Sequence, residues 1–372
     1  MSSKKLVMAI TFLLLSVFSF AQSLTIVPNG GNKKASVSER IGITDVTIHY
    51  DRPAVKGREG KIWGQLVHTG YKDLGFGNSK AAPWRAGANE NTTFTFSTDV
   101  MIEGKSLKAG TYGFFIAMGE TDATLIFSTN STSWGSFFYD EKEDALKVTV
   151  KTVPLSESVE HLKYEFMDQK ENSAVVALIW EKLKIPFTIE VDYAKTQIES
   201  FRRELRSDIG FSGPDVWVQA VNFCVEHKTN LDEALQWSDY AINGQFVGQK
   251  NFKTLSARAS VLNAMNRSAD AAVLMKQAMP LANMQELHAY GRQLMREKRY
   301  TEALEAFKLN AEKNPNVFTT NMGLMRGYSA NGDFKNALKY AKAAQLQAPD
   351  KANKDALEKY IPMLEAGKDI NQ

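Results

Sequence analysis

One change of rhythm constrains this chain more than any other feature. Up to about Tyr193 its apolar residues recur at every second position, and beyond Asp192 they recur every three or four. Val46, Ile48 and Tyr50 alternate with Asp45, Thr47 and His49; Phe94 and Phe96, Leu146 to Val150, and Leu162 to Phe166 repeat the pattern. Side chains two apart share one face of a strand, so this half reads as half-buried strands of an antiparallel β-sandwich. Val175 to Trp180 is an unbroken apolar run and reads as a central strand. Glu103-Gly104-Lys105 supplies a tight hairpin, with glycine free to take positive φ.

The second half requires helices. Lys195 to Ser207 reads as the first, Gly210 and Gly213-Pro214 break the pattern, and Asp215 is placed to cap the next. Small residues then recur at near-regular intervals, at Ala234, Ala271, Ala303 and Ala337, and again at Ala241, Ala278 and Ala344, where the third unit has Asn310 instead. Small residues are needed where two helices cross closely, and aromatic residues such as Tyr290, Phe307 and Tyr328 fill the gaps between pairs. These residues resemble tetratricopeptide repeats, four of them, with Lys351 to Ala366 as a terminal capping helix. That resemblance implies an all-α solenoid whose groove takes a protein or peptide.

The N-terminus sets the expected compartment. Lys4 and Lys5 precede an apolar run from Leu6 to Phe20, and Ser19-Phe20-Ala21 gives a small-x-small cleavage site, the pattern of a signal peptide cut before Gln22. The expectation is an exported protein, periplasmic or secreted, with no membrane span after cleavage. The formal net charge of +3 is no nucleic-acid footprint. A single cysteine, Cys224, excludes an intramolecular disulfide and a cysteine-cluster metal site. The expected organisation is a signal peptide over 1–21, the β-sandwich over 22–194, a linker helix over 195–212, and the repeats with their cap over 213–372.

HExxH, GxSxG and Walker motifs are absent, so candidate chemistry rests on polar residues in β-domain loops. His49, Asp51, Arg52 and Lys56 lie in HYDRPAVKGREG; Trp84, Arg85, Asn89 and Glu90 lie in PWRAGANE; Trp134 lies in SWGSFFYD. Arg52 and Arg85 can clamp an anion or sugar with their planar forks of donors, or pin loops by pairing with Asp51 or Glu90. Asn89 can read a ligand or bond its own backbone. His49 and Asp51 share a strand face, with His68 as a third ligand by spacing alone, an incomplete metal set, so neither metal nor cofactor is expected. Trp84 and Trp134 can stack on a sugar ring or belong to the core.

The combination IGITDVTIHYDRPAVKGREG, WGQLV, PWRAGANENTTFTFSTDV, EGKSLKAGTYGFF and SWGSFFYDEKEDALKV, over roughly residues 35–190, resembles a bacterial exported family classed only as a domain of unknown function, in members carrying a helical-repeat extension. The resemblance implies no activity and no catalytic residues. The chain departs from the commoner pattern in a longer loop, HTGYKDLGFGNSKAAP, with His68-Thr69-Gly70-Tyr71 at the usual Pro-Tyr-Gly turn. Two functions are therefore carried forward. The first is a non-enzymatic binding or assembly protein of the cell envelope, its solenoid contacting protein and its β-domain loops holding a small ligand or glycan. The second is a hydrolase, which requires Asp51, Glu90, Arg52 and Arg85 to converge in an open cleft.

Overall fold

The computed structural model describes residues 31–371; the expected signal peptide lies outside the described residues. Two compact units divide between Val191 and Asp192.

The first unit holds ten strands: β1 (Lys33–Ile41), β2 (Thr44–Arg52), β3 (Thr92–Phe96), β4 (Val100–Ile102), β5 (Lys105–Leu107), β6 (Gly110–Met118), β7 (Asp122–Ser128), β8 (Asp144–Lys151), β9 (Val153–Met167) and β10 (Ser173–Glu190). They form a six-stranded sheet, β1-β2-β3-β6-β7-β8, and a four-stranded sheet, β5-β4-β10-β9, every pairing antiparallel. The period-two pattern sets the register. Val46, Ile48 and Tyr50 of β2 turn inward, and Phe94 of β3 meets Phe114 of β6 at 4.7 Å and Phe187 of β10 at 5.8 Å, joining the two sheets. The β4–β5 hairpin turns on Glu103 and Gly104, both with positive φ (49° and 75°), as a two-residue turn matched to strand twist requires. β10 lies between β4 and β9, the central position expected from its unbroken apolar run.

Between β2 and β3 the chain runs from Pro53 to Asn91 with no strand longer than a single bridge. Isolated backbone pairs hold it to the sandwich: Ala54 with His161, Thr69 with Met118, and Trp84 with Ile116, the last closed by hydrogen bonds of 2.9 and 2.8 Å. A register shift in β10 at Glu181, whose φ is 49°, buries that carboxylate, and it accepts the Gly60 N–H at 3.2 Å.

The second unit holds ten helices among the described residues: α1 (Tyr193–Glu204), α2 (Pro214–Glu226), α3 (Leu231–Asn243), α4 (Phe252–Ala264), α5 (Ser268–Ala278), α6 (Met284–Arg296), α7 (Tyr300–Lys313), α8 (Phe318–Ala330), α9 (Phe334–Gln345) and α10 (Lys351–Glu365). The Asp192 side chain caps α1 by accepting from the Lys195 N–H at 3.0 Å. α2 differs from expectation: Gly213 is its cap and Pro214 its first residue, while Asp215 sits in the first turn and pairs with Lys253 at 2.8 Å. The recurrent Ala234, Ala271, Ala303 and Ala337 are buried on α3, α5, α7 and α9, the second helices of four successive pairs, as are Ala241, Ala278 and Ala344. Asn310 replaces the small residue in the third pair and is equally buried; its side-chain N–H donates to the Met284 carbonyl at 2.9 Å. α10 closes the array, packing Leu357 and Leu364 against Ala337, Ala341 and Ala344.

The ring of Phe307 on α7 fills the groove where α6 and α8 meet it, because Gly291, Gly323 and Gly327 leave room. Ala outranks Gly in a helix by about 1 kcal/mol, yet a Cβ at Gly291 would overlap this ring. Overpacking of that kind costs about 1–3 kcal/mol. Gly291→Ala should therefore lower stability in urea denaturation, and Phe307→Leu should relieve part of the loss in the double variant. Cys224 lies in the apolar cluster of α1–α4, and burial pushes its thiol up to about 11. It should resist alkylation at pH 7 in the folded protein and react fully once urea unfolds it, as mass spectrometry would read.

Candidate functional site

The long β2–β3 connection and the β7–β8 loop line an open-mouthed cavity of about 330 Å³ in the first unit. Its wall takes Trp84, Arg85 and Asn89 from PWRAGANE, Arg58 and His68 from earlier in the connection, Ser136 from the β7–β8 loop, and Trp180 from β10.

Backbone geometry places these groups. Ala86 and Asn89 both adopt left-handed φ (51° and 53°), which curls 85–91 into a compact turn. For Ala86 that conformation is unfavourable by about 1–2 kcal/mol, and two hydrogen bonds hold it: its carbonyl accepts the Tyr164 hydroxyl at 2.8 Å and the Thr92 hydroxyl at 3.2 Å. Trp84 is stacked on Trp180 at 6.1 Å and meets the edge of Trp63 at 5.7 Å. This makes it a core residue that also lines the cavity.

Arg85 donates from Nη1 to the Asn89 carbonyl at 2.8 Å. Its guanidinium packs on the Phe137 ring at 5.2 Å and against Gly135, where an added Cβ would lie 2.5 Å from Cζ. Burial pulls its pKa below the usual arginine value, though not far enough to discharge a guanidinium. Among the described residues no carboxylate pairs with it. Arg58 differs, donating to the Val55 and Ala54 carbonyls at 2.9 and 2.8 Å. His68 Nδ1 and Trp180 Nε1 are buried without a hydrogen-bond partner among the described residues. Each such group left without a partner costs about 1–3 kcal/mol. Burial also lowers the His68 pKa, favouring the neutral ring.

The other candidates lie elsewhere. His49 and Asp51 share the outer face of β2, but His49 is exposed while Asp51 is only 3% accessible. The 89–90 turn covers Asp51 alone. Burial raises its pKa, against the opposing effects of Lys34, the Glu90 backbone N–H and the Asn89 side chain. Glu90 pairs with Lys34 at 2.6 Å in solvent. Arg52 donates from Nε to the Leu162 carbonyl at 2.8 Å. Neither arginine makes the expected pair with Asp51 or Glu90, because each is nearer a backbone carbonyl than a carboxylate. The Asn89 side chain accepts from Asn32 at 3.3 Å rather than bonding its own backbone. Lys56 is exposed, and its backbone N–H meets Glu160 at 3.0 Å. Trp134 is 60% exposed and outside the cavity; Ser136 lines the wall instead, while Gly135 and Phe137 pack against Arg85. His49, Asp51 and His68 are not gathered, and no cluster of three potential metal ligands occurs among the described residues.

The structure adds Arg58, Ser136 and Trp180 to the sequence-derived site, and places His68, which the sequence offers only as a third metal ligand, in the cavity wall. Trp180 lacked a signal, since an unbroken apolar run marks every residue in it as core.

In the second unit a larger cleft, about 750 Å³, lies between the α4–α5 pair and the α6–α7 pair. Ser256, Ser260 and Asn263 of α4 face it across from Gln293 and Arg296 of α6 and its C-cap Glu297, with Ala272 of α5 exposed on its wall.

Residues 32–189 match the family described as a protein of unknown function, DUF2911. The match runs from just before β1 to the penultimate residue of β10 and stops before α1. No curated protein matches the chain. Among solved structures, YrrB, "a TPR protein with an unusual peptide-binding site", is similar at 18% identity, covering 45% of this chain and 84% of that one with a TM-score of 0.29. No helix among the described residues is long and apolar enough to cross a membrane.

Raised pKa and burial make Asp51 a directional probe. The folded state holds this proton more tightly than the unfolded one. Its contribution is therefore present below the unfolded pKa and lost as pH rises through the folded pKa. Asp51→Asn keeps an acceptor and removes the charge. It should melt higher than the parent at pH 7, with the gap closing as pH falls below about 4; paired thermal melts across that range check it.

Proposed function

We propose that the protein is an exported, non-enzymatic binding or assembly protein of the bacterial cell envelope. Its helical unit takes an extended peptide or protein segment, and its β-unit cavity holds a small ligand. The observation that carries the first part is the cleft between the second and third helix pairs. It is open, is lined by amides, hydroxyls and charges of both signs, and has a size suited to an extended chain. Asn222 and Asn263 on its wall offer amides that match the donor and acceptor pattern of a peptide backbone. The exported location rests on the sequence of residues 1–21.

The hydrolase reading has less support. Asp51 is covered, Glu90 pairs with Lys34 in solvent, Arg52 lies on the Leu162 carbonyl, and Arg85 alone of the four lines the cavity. A carboxylate pair needs both members at the reacting atoms. For glycan recognition, Trp134 has the exposed ring but lies outside the cavity, and Trp84 lines the cavity while stacked into the core.

Peptides selected from a displayed library against the full chain are expected to lose at least tenfold in affinity for Ala272→Trp. That substitution fills the cleft from an exposed position and should leave the melting temperature unchanged. Equal affinity for both proteins would place the peptide site elsewhere. Amino-terminal sequencing of protein recovered from the periplasm or medium should begin at Gln22.

A further inference from the structure

We propose that the β-unit cavity binds a small organic carboxylate, held by the Arg85 guanidinium with the Trp180 indole N–H as second donor. This rests on reading that cavity as a ligand site and adds the ligand's chemical class.

Three independent observations converge on it. The first is the charge of the wall. Arg58, Arg85 and His68 line the cavity, and none of the described lining residues is Asp or Glu. A wall that carries two guanidinium charges and no carboxylate favours an anion.

The second is unused hydrogen-bonding capacity. A guanidinium has five N–H donors in a planar fork, and the one bond found for Arg85 goes from Nη1 to the Asn89 carbonyl. Gly135 and Phe137 hold the group in place, so its orientation is fixed before any ligand arrives. Gly135 has a φ of 70°, where glycine is favoured, and a side chain there would displace the guanidinium. Arg58 has spent its Nε and Nη2 on backbone carbonyls, which leaves Arg85 as the better anchor.

The third is Trp180. It is 1% exposed, it lines the cavity, and its Nε1 has no partner among the described residues. An indole N–H can only donate, so what satisfies it must be an acceptor. Arg85 presents free donors to whatever enters, and Trp180 holds an unsatisfied donor in the wall behind it. His68 Nδ1, also unpartnered, adds a neutral group that can donate or accept depending on its tautomer.

The remaining wall sets the body of the ligand. Trp84, Leu66, Leu74 and Pro83 offer apolar surface, and a volume of about 330 Å³ suits a molecule of monosaccharide or amino-acid size. Of the two guanidiniums, Arg85 has the freer fork of donors, and a planar carboxylate matches that fork with two parallel N–H···O bonds, which favours a carboxylate with an apolar or ring-shaped body.

The experiment uses the full chain and matched probe pairs, benzoate with benzamide and glucuronate with glucose, together with inorganic phosphate. Titration calorimetry at millimolar probe gives affinity, and the Trp180 indole resonance in a ¹H–¹⁵N spectrum, assigned with Trp180→Phe, reports the site. A carboxylate is expected to bind at least tenfold more tightly than its uncharged counterpart, to move the Trp180 indole signal, and to lose at least tenfold with Arg85→Gln. Arg85→Lys keeps the charge and serves if the glutamine variant fails to fold; it should weaken binding severalfold. If the uncharged probes move the Trp180 signal equally and Arg85→Gln retains them, the carboxylate class is wrong and the cavity remains a ligand site. Arg85-dependent binding of phosphate alone would likewise overturn the carboxylate class. If no probe binds and none moves the Trp180 signal, both the proposal and the reading beneath it fall.

Discussion

The β unit's candidate site depends on how a long irregular segment is fastened to a regular sandwich. Residues 53–91 contain no helix and no strand longer than a single bridge, and a stretch of that length without them is ordinarily mobile or functional. Here Trp84 exchanges both backbone bonds with Ile116 while its indole lies against Trp180. Upstream, the bulge at Glu181 turns a buried carboxylate onto the Gly60 N–H. Downstream, the Tyr164 hydroxyl fixes the Ala86 carbonyl in an unfavourable left-handed turn. Through these attachments the sheets position the cavity wall, and Arg85 and His68 inherit fixed places from strands to which they do not belong.

Much of this architecture was legible in the sequence because it follows from periodicity. Alternation in β2, β3 and β9 marked the inward faces, and recurrent alanines marked the close crossings of the helix pairs. The site was legible only in part. PWRAGANE is present in the cavity wall, but Arg85 and Arg52 were weighed against Asp51 and Glu90, whereas both bond backbone carbonyls, which no side-chain pattern advertises. Asp51 and His49 share a face as the strand period requires, yet one is buried and the other exposed, because cover by a distant turn is a tertiary fact. Trp180 was hidden differently. Hydrophobicity identifies it as core, and only packing reveals an N–H with no acceptor.

The two units solve burial by different means. The sandwich interlocks large rings, with Phe94, Phe114, Phe127 and Phe187 within about 6 Å of one another. The helical unit brings backbones close through alanine and glycine, and a single large ring such as Phe307 then fills the groove left between neighbours. Loss of atoms is the main hazard in the first case and addition of atoms in the second.

Asn310 has a consequence of another kind. Helix pairs of similar shape stacked in tandem can dock one unit out of step, burying nearly the same apolar surface in the wrong partner. The side-chain N–H of Asn310 donates to the carbonyl of Met284, at the start of the helix with which α7 is paired, while its oxygen accepts from the Asn314 side chain within α7's own C-terminal end. A slipped arrangement that lost the Met284 carbonyl would leave the Asn310 N–H buried without its acceptor, at a cost of about 1–3 kcal/mol. The one departure from a run of alanines thus gives the third pair an address: a mark by which a repeating chain distinguishes its own units while it folds.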